Sequence, residues 1–350
     1  MILKKIYILV NKMTFILNSS IFQTLNRKTF SGMFVKGKIV IVNGRECVIT
    51  DKRAMTAYFK IVLCYMDIIF EIHFKFNSDD IDSLASMNMM FLDNTRISDD
   101  MTIVRHLGAG AFGDVFLVSV SDKEYALKVG LDISRSSNPV SAIQNEMNIF
   151  EHLRQNPAHP NLIQSFSIDF PLGPAVLLEL GQETLDDKIK SMSLSLEQTM
   201  EIMRHILSAV AFLHSIGISH NDLKPDNIIF IGGVPKLLDF GLSYCWETDD
   251  SFKSHLCGTL GYKHPTSGSN YAQDVFSCCF MIIEMLIGKN IRSFNSKTPS
   301  GIAELSDFEI ETELQNKQIS RENIQKIYLI YSMRIAIELN RLIELVESIQ

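Results

Sequence analysis

Two short runs of residues, at 220–227 and 238–241, carry side chains that could do chemistry. The first run, His220-Asn221-Asp222-Leu223-Lys224-Pro225-Asp226-Asn227, precedes an apolar segment, and Leu238-Asp239-Phe240-Gly241 follows shortly after it. Transfer of a phosphoryl group needs a carboxylate that orients the attacking hydroxyl and accepts its proton. It also needs cations near the migrating charge and oxygen ligands for Mg²⁺. The side chains that supply these groups are Asp222, Lys224, Asn227 and Asp239.

A glycine-rich run, Leu107-Gly108-Ala109-Gly110-Ala111-Phe112-Gly113-Asp114-Val115, lies between two strand-like segments. Because glycine lacks a side chain, backbone N–H groups in such a run can approach phosphate oxygens. A strand on both sides fits a flap over ATP, whereas a dinucleotide site would need a helix directly after the glycines. Taken alone, the run is equally compatible with glycines in an ordinary hairpin.

A single lysine, Lys128, stands in the apolar strand-like stretch Ala126–Val129. Burying an ammonium group there is costly unless it is paired, and Glu146 on the next predicted helix could be the partner. The alternative is a lysine at a strand edge that reaches solvent.

In this order along the chain, the motifs resemble the signature set of the eukaryotic protein kinase family. The resemblance extends from about Ser98 to the apolar helix that ends near Gly288. It implies an α+β, two-lobed kinase fold that transfers the γ-phosphate of ATP, with Mg²⁺, to protein substrates. The expected boundaries are 1–97 for a β-rich N-terminal extension and 98–350 for the kinase domain, with an N-lobe at 98–180 and a C-lobe at 181–350.

The resemblance also implies roles for single residues. Asp222 is expected to be the catalytic aspartate and Lys224 to contact the γ-phosphate, while Asn227 and Asp239 bind Mg²⁺.

Other residues are expected to hold the nucleotide. Lys128, paired with Glu146, would hold the α- and β-phosphates. The expected nucleotide contacts are Leu107, Gly108, Ala109, Gly110, Ala111, Phe112 and Gly113 in the glycine loop, Glu179 and Leu180 at the hinge, and Val115, Ala126 and Ile229 around adenine.

Two features resemble serine/threonine kinases rather than tyrosine kinases. These are the lysine two residues after Asp222 and the Gly258-Thr259 pair. Tyrosine kinases usually carry a loop of the type Asp-Leu-Ala-Ala-Arg. Thr259 is expected to hydrogen-bond Asp222 and Lys224, and Asp274 resembles the helix aspartate that braces the catalytic loop.

Three departures from the family pattern mark a divergent member, for which a viral origin is one hypothesis. Asn221 replaces an arginine that in many relatives binds a phosphorylated activation loop, so we expect activity without loop phosphorylation. Lys263-His264-Pro265-Thr266 replaces the Ala-Pro-Glu element and lacks its carboxylate, and Cys279 occupies the place of a glycine.

Two alternative functions use the same fold. A pseudokinase scaffold is favoured by the altered Ala-Pro-Glu element, but it has no chemical need for Asp222 and Asp239. A small-molecule kinase is disfavoured by Gly258-Thr259, which resembles a peptide-binding segment.

Composition narrows the class of protein further. Hydrophobic residues make up 46% and charged residues 21%, and the net charge is −7, so a general nucleic-acid binder is not expected. The six cysteines form no C-x-x-C pair, which favours reduced thiols in the cytoplasm or nucleus. The apolar runs near the N-terminus and at Ile61–Phe70 are too short to span a membrane. For the first run, a signal peptide at Met1–Val10 is the alternative. The sequence gives no indication of an oligomeric state.

Periodicity predicts the elements that must position these residues. Strands are expected from about Phe30 to Phe76, with a hairpin turn at Asn43-Gly44, followed by a polar linker over 77–100. The role of 1–97 is open, and an extension that packs on the N-lobe is favoured over a regulatory domain. Helices are predicted at Pro139–Arg154, Leu196–His214 and Ala272–Ile287, with a last helical stripe from Ile324 to Ile349.

Overall fold

The chain forms two units, which are Met1–Gln144 with Ser165–Glu179, and Asn145–Gln164 with Leu180–Gln350. The first unit is built mainly from antiparallel sheets and the second is mostly helical. This computed structural model describes residues 6–10, 13–17, 39–42, 45–54, 58–65, 68–75, 87–90, 95–98, 100–110, 113–130, 139–168, 170, 174–191, 194–246, 258–259, 262, 264, 270–288, 307–334 and 336–350. Within these ranges, no helix is long and apolar enough to cross a membrane.

A seven-stranded antiparallel sheet occupies the N-terminal part of the first unit, in the order β2-β1-β3-β4-β5-β6-β7. Val42 lies opposite Arg45, as expected for strands joined by the predicted hairpin turn. Residues with β-branched and aromatic side chains dominate β5 and β6, and these residue types favour extended backbone. The strands are β1 (Ile6–Val10), β2 (Met13–Leu17), β3 (Ile39–Val42), β4 (Arg45–Ala54), β5 (Tyr58–Tyr65), β6 (Ile68–Lys75) and β7 (Met87–Met90).

The prediction of a polar linker over 77–100 is wrong in part. β7 lies inside it and pairs with β6, and β8 (Thr95–Arg96) pairs with the strand that follows. β7 has four residues and β8 has two, which is too short for apolar spacing to predict a strand. Their extended backbone comes from pairing with a neighbouring edge, which periodicity cannot reveal.

A second, six-stranded antiparallel sheet carries the glycine-rich run, in the order β12-β13-β11-β10-β9-β8. Ser121 and Asp122 form the turn between β10 and β11, with φ of 48° and 63°. Positive φ at both turn residues gives a twist that matches antiparallel strands. The remaining strands are β9 (Met101–Gly110), β10 (Gly113–Val120), β11 (Lys123–Val129), β12 (Ser165–Phe166) and β13 (Ala175–Glu179).

Helices and short strands make up the second unit. A 3-10 helix at Pro225–Asn227 precedes β16. The helices are α1 (Pro139–Arg154), which begins in the first unit, α2 (Leu185–Ser191), α3 (Leu196–Ser215), α4 (Asn270–Ile287), α5 (Asp307–Asn316), α6 (Arg321–Met333) and α7 (Leu339–Ser348). The strands are β14 (Glu183–Thr184), β15 (Ile218–Ser219), β16 (Ile228–Ile231), β17 (Val234–Leu237) and β18 (Tyr244–Cys245).

The core of the second unit contains α3 and α4, which contact each other. Ser195 begins α3 with a capping box, because its hydroxyl accepts from Gln198 N and the Gln198 side chain accepts from Ser195 N. α4 is buried from Gln273 to Ile287, as its nearly continuous apolar sequence indicates.

Two neighbouring cysteines in α4 pack as small apolar groups. Cys278 and Cys279 are fully buried. Burial raises the pKa of Cys279 to about 12 and that of Cys278 well above its ordinary value. Both thiols therefore stay protonated near neutral pH.

The predicted last helical stripe is two helices rather than one. α6 ends at Met333 and α7 begins at Leu339, with the buried Ile337 between them. Neither glycine nor proline marks this break in the sequence. Ile337 N still donates to Met333 O at 2.9 Å, so the backbone makes one more turn before α7 begins, and apolar spacing alone does not locate such a break.

Candidate active site

Residues of the first run, together with Thr259, meet at the carboxylate of Asp222, which is only 3% exposed. One carboxylate oxygen, Oδ1, accepts from the backbone N (2.9 Å) and hydroxyl (2.7 Å) of Thr259. The other, Oδ2, accepts from Lys224 Nζ (2.7 Å) and Asn227 Nδ2 (3.1 Å). A carboxylate offers about four lone-pair sites, so these four donors fix the group completely.

Lys224 and Thr259 contact each other as well as Asp222. Lys224 Nζ donates to Thr259 Oγ1 at 2.8 Å. The two residues are 35 positions apart in sequence, so this contact holds the Gly258-Thr259 pair against the catalytic loop. The structure therefore brings together the three residues on which the serine/threonine interpretation depends.

The side chains expected to bind magnesium stand at the ends of two paired strands. Asn227 directly precedes β16 and Asp239 lies two residues after β17, and Leu238 N donates to Asn227 O at 3.0 Å. Asn227 Nδ2 donates to Asp222 O at 2.8 Å, so the amide nitrogen is committed and Oδ1 is the atom left for a ligand. An amide oxygen and a carboxylate fit Mg²⁺, which prefers oxygen ligands and takes others from phosphates.

Phe240 and its neighbours are held by α1. Phe240 is fully buried and its ring contacts the rings of Phe150 and His220. Glu146, also fully buried, accepts from Phe240 N at 3.2 Å. The expected pairing of Glu146 with Lys128 stays a prediction.

Sequence reasoning missed Asn145, the residue before Glu146. Its Nδ2 donates to the backbone oxygens of Phe240 (3.3 Å), Gly241 (3.2 Å) and Ser243 (2.8 Å). The only sign of its role in the sequence was that it is a polar residue next to Glu146 on the same predicted helix. The contacts join residues about 95 positions apart, which no local motif shows.

Asp274 on α4 is fully buried and braces the catalytic loop, as its resemblance implied. Its Oδ1 accepts from Asn221 N (2.7 Å), and its Oδ2 accepts from His220 N (2.8 Å) and His214 Nε2 (2.9 Å). Two successive backbone N–H groups are thereby pinned by one carboxylate. This fixes the chain direction just before Asp222.

Asn221 adopts φ of 66°, in the left-handed region that asparagine tolerates better than most residues. Its Nδ2 donates to Leu242 O and to Ser219 Oγ, both at 3.2 Å. The side chain thus ties the catalytic loop directly to the segment after Gly241. Its Oδ1 is buried without a hydrogen-bond partner.

The predicted nucleotide residues of the first unit lie on one sheet. Lys128 is in β11, an interior strand flanked by β10 and β13, and is 8% exposed, so the alternative of a solvent-exposed edge lysine is wrong. Val115 pairs with Lys128, and Ala126 lies two residues earlier in β11. Glu179 ends β13.

The glycine-rich run lies at the end of the β9–β10 pair. Gly113, with φ of 142°, pairs with Gly110, and a Cβ at Gly113 would lie 2.2 Å from Val129 O. Glycine is therefore required at this position. Leu107 is 37% exposed, Gly108 and Ala109 belong to β9, and Ala111 and Phe112 lie outside the described residues.

Two predicted nucleotide residues belong to the second unit. Ile229 is in β16, and a Cβ on Gly181 would lie 2.3 Å from its side chain. Leu180 directly precedes Gly181, so it and Ile229 lie in the same neighbourhood of this unit.

A sequence model of the family described as "Protein kinase domain" matches residues 101–346, well over half of the chain. This chain belongs to the protein kinase family. Its β-rich N-terminal unit and helical C-terminal unit agree with the two-lobed fold of that family. A protein kinase domain implies ATP as phosphate donor, protein as acceptor and, in general, dependence on Mg²⁺.

Several characterised kinases are similar to this chain over about half of its length. An Aurora kinase of Dictyostelium discoideum is 29% identical over 55% of this chain and 51% of its own length. Human calcium/calmodulin-dependent protein kinase type IV is 33% identical over 48% and 36%, and the type 1 enzyme of Caenorhabditis elegans is 34% identical over 45% and 47%. The chain thus spans about half or less of each relative.

We expect Asp274→Asn to lower the free energy of unfolding by about 2–3 kcal/mol, because the new amide nitrogen would face the His220 N–H and leave donor against donor. Urea denaturation followed by circular dichroism measures this change. The matched control is Asp186→Asn, since Asp186 is also buried but pairs with the largely exposed Lys190. Equal losses for the two variants would contradict a bracing role for Asp274.

Proposed function

We propose that this kinase phosphorylates serine and threonine hydroxyls of proteins, with Asp222 as the catalytic carboxylate. The observation that carries the proposal is the closed set of contacts among Asp222, Lys224 and Thr259. It joins a carboxylate, a cation and the segment expected to bind the protein substrate. Such a set suits a short aliphatic hydroxyl that must approach a carboxylate and a phosphate together.

In the proposed reaction, the acceptor oxygen forms a bond to the γ-phosphorus while the bond from that phosphorus to the β–γ bridging oxygen breaks. ADP leaves, and the hydroxyl proton passes to Asp222. Lys224 supplies positive charge where the transferred phosphoryl group is most negative.

The four donors around Asp222 leave no lone pair for an incoming hydroxyl. One donor must therefore turn away when substrates bind. Lys224 is the candidate, because a nearby phosphate offers it a stronger charged partner than its present one. Thr259 and Asn227 would then keep the Asp222 carboxylate in its present orientation.

The nucleotide-binding residues expected from the family resemblance keep their roles in this proposal. Gly108, Gly110 and Gly113 would offer backbone N–H groups, and Lys128 a cation, to the phosphates. Glu179 and Leu180 would bind adenine through their backbone. Magnesium, held by Asn227 and Asp239, would offset phosphate charge when bound.

We expect Asp222→Asn to reduce the turnover number by about 10²- to 10⁴-fold, because the amide cannot accept the hydroxyl proton. ATP affinity should stay within about twofold, since Asp222 acts on the acceptor rather than the nucleotide. Phosphate transfer from labelled ATP to a basic protein, with titration of ATP binding, measures both.

Asp122→Asn is the control for that experiment, because Asp122 sits in the β10–β11 turn where asparagine tolerates positive φ. A wild-type protein that binds ATP but transfers no phosphate would favour the scaffold alternative. Transfer only to small molecules would contradict protein substrates.

We also propose that activity does not require a phosphorylated activation loop. Asn221 already links the catalytic loop to Leu242 by a hydrogen bond, without a phosphate. It also carries no positive charge that a loop phosphate could pair with.

The triple substitution of Thr248, Ser251 and Ser254 by alanine should therefore leave the turnover number within about twofold of the wild-type value. These three residues lie outside the described residues. The measurement compares phosphatase-treated wild-type protein with the triple variant. Loss of turnover in both would contradict the proposal.

A further inference from the structure

Gln273, the residue just before Asp274 on α4, is 9% exposed and makes hydrogen bonds in two directions. Its Nε2 donates to Tyr262 O at 2.6 Å, and its Oε1 accepts from His264 N at 2.7 Å. One side-chain amide thus satisfies a backbone acceptor and a backbone donor of the same segment, as a neighbouring strand would.

Other contacts reinforce the same attachment. Ser277, one turn further along α4, donates to Tyr262 O at 2.9 Å and accepts from Gln273 Nε2 at 3.1 Å. The Tyr262 hydroxyl donates to the buried carboxylate of Glu284. The segment that contains Tyr262 is therefore fixed to α4 by its backbone and by its side chain.

Consecutive residues of α4 hold the two segments that meet at the catalytic carboxylate. Asp274 holds the backbone just before Asp222, and Gln273 holds the backbone just after Thr259. The fit between the two segments is close, because a Cβ on Gly258 would lie 2.9 Å from Asn221 O and 3.7 Å from Gln273 Nε2. A shift of one segment would therefore disturb the bonds between Thr259 and Asp222.

We propose that Gln273 is a positioning residue that holds the backbone at Tyr262 and His264, and with it Thr259, against the catalytic loop, and so controls the use of the protein substrate rather than of ATP. This inference rests on the proposed protein kinase activity. The Lys263–Thr266 stretch lacks the carboxylate of the Ala-Pro-Glu element. In this proposal the uncharged amide of Gln273 provides the anchoring instead.

The chemistry requires an amide at position 273. An ionised glutamate could accept from His264 N but could not donate to Tyr262 O. It would also place a second negative charge next to Asp274. A neutral carboxylic acid has one O–H donor and an acceptor oxygen, so it could reproduce both bonds.

The experiment compares Gln273→Glu with Gln273→Met in steady-state phosphorylation of a serine peptide, from about pH 6 to about pH 8. Among the residues that the structure describes, the titratable groups in or next to this set of hydrogen bonds are Asp274, Glu284, His264, Tyr262, Asp222 and His214. Because wild-type protein contains all of them, each variant is expressed as a ratio to wild type at the same pH. Burial and the nearby carboxylates raise the pKa of the introduced glutamate, so its neutral form persists toward neutral pH.

We expect Gln273→Glu at pH 8 to lower kcat/KM for the peptide about tenfold, through a higher KM, a lower turnover number or both. The KM for ATP should stay within about twofold of the wild-type value. The loss should shrink toward pH 6 as the acid regains its donor. Gln273→Met should show a loss that does not change with pH. A loss in Gln273→Glu that is equally independent of pH would overturn the proposal, as would wild-type peptide kinetics in both variants.

If Gln273→Glu fails to fold, Ser277→Ala is tested instead. This substitution removes one of the two donors to Tyr262 O. We expect a peptide KM about two- to fivefold higher, with the KM for ATP unchanged. An unchanged peptide KM would overturn the inference. A wild-type protein that phosphorylates no peptide would instead overturn the proposed function itself.

Discussion

The carboxylate of Asp274, buried in α4, is the constraint on which the catalytic loop depends. A buried charge is tolerated only when it is fully hydrogen-bonded, and here its partners are the backbone N–H groups of His220 and Asn221 together with the His214 ring. Those bonds fix the loop backbone in the left-handed conformation of Asn221, which turns the next residue, Asp222, toward Lys224 and Thr259. Because α4 is buried from Gln273 to Ile287, these bonds attach the loop to the core of the second unit.

Asp222 is held as closely as Asp274. Its four donors come from three places in the sequence, at Lys224, Asn227 and Thr259. A carboxylate held in this way needs little reorganisation during proton and phosphoryl transfer, which is the usual source of electrostatic catalysis. Because all four positions are taken, substrate binding in the proposed reaction would exchange one of these donors for another. Thr259 is the only one of the three that lies far from the loop in sequence, so under the proposed function its attachment through Tyr262 to α4 would matter most for protein substrates.

Much of this site could be predicted from the sequence, for a physical reason. Asp222, Lys224 and Asn227 lie within six residues, so their spacing alone places them together once the loop is formed. Asn145 and Gln273 could not be found, because their bonds join elements that only the tertiary fold brings together. Likewise, the predicted strands of both sheets were visible through residue type, but β7 and the break between α6 and α7 depend on neighbours and burial rather than on local pattern. The pairing of Lys128 with Glu146 stays a prediction.

The most direct measurement of the central claim uses peptides that differ only in the acceptor residue, serine, threonine or tyrosine, mixed in equal amounts with the protein, ATP and Mg²⁺. Mass spectrometry of the products gives the relative rate for each acceptor. The account predicts phosphoserine and phosphothreonine, with tyrosine slower by about a hundredfold or more, equivalent to about 2.7 kcal/mol in the barrier. Comparable phosphotyrosine, or no phosphopeptide from a protein that binds ATP, would contradict it.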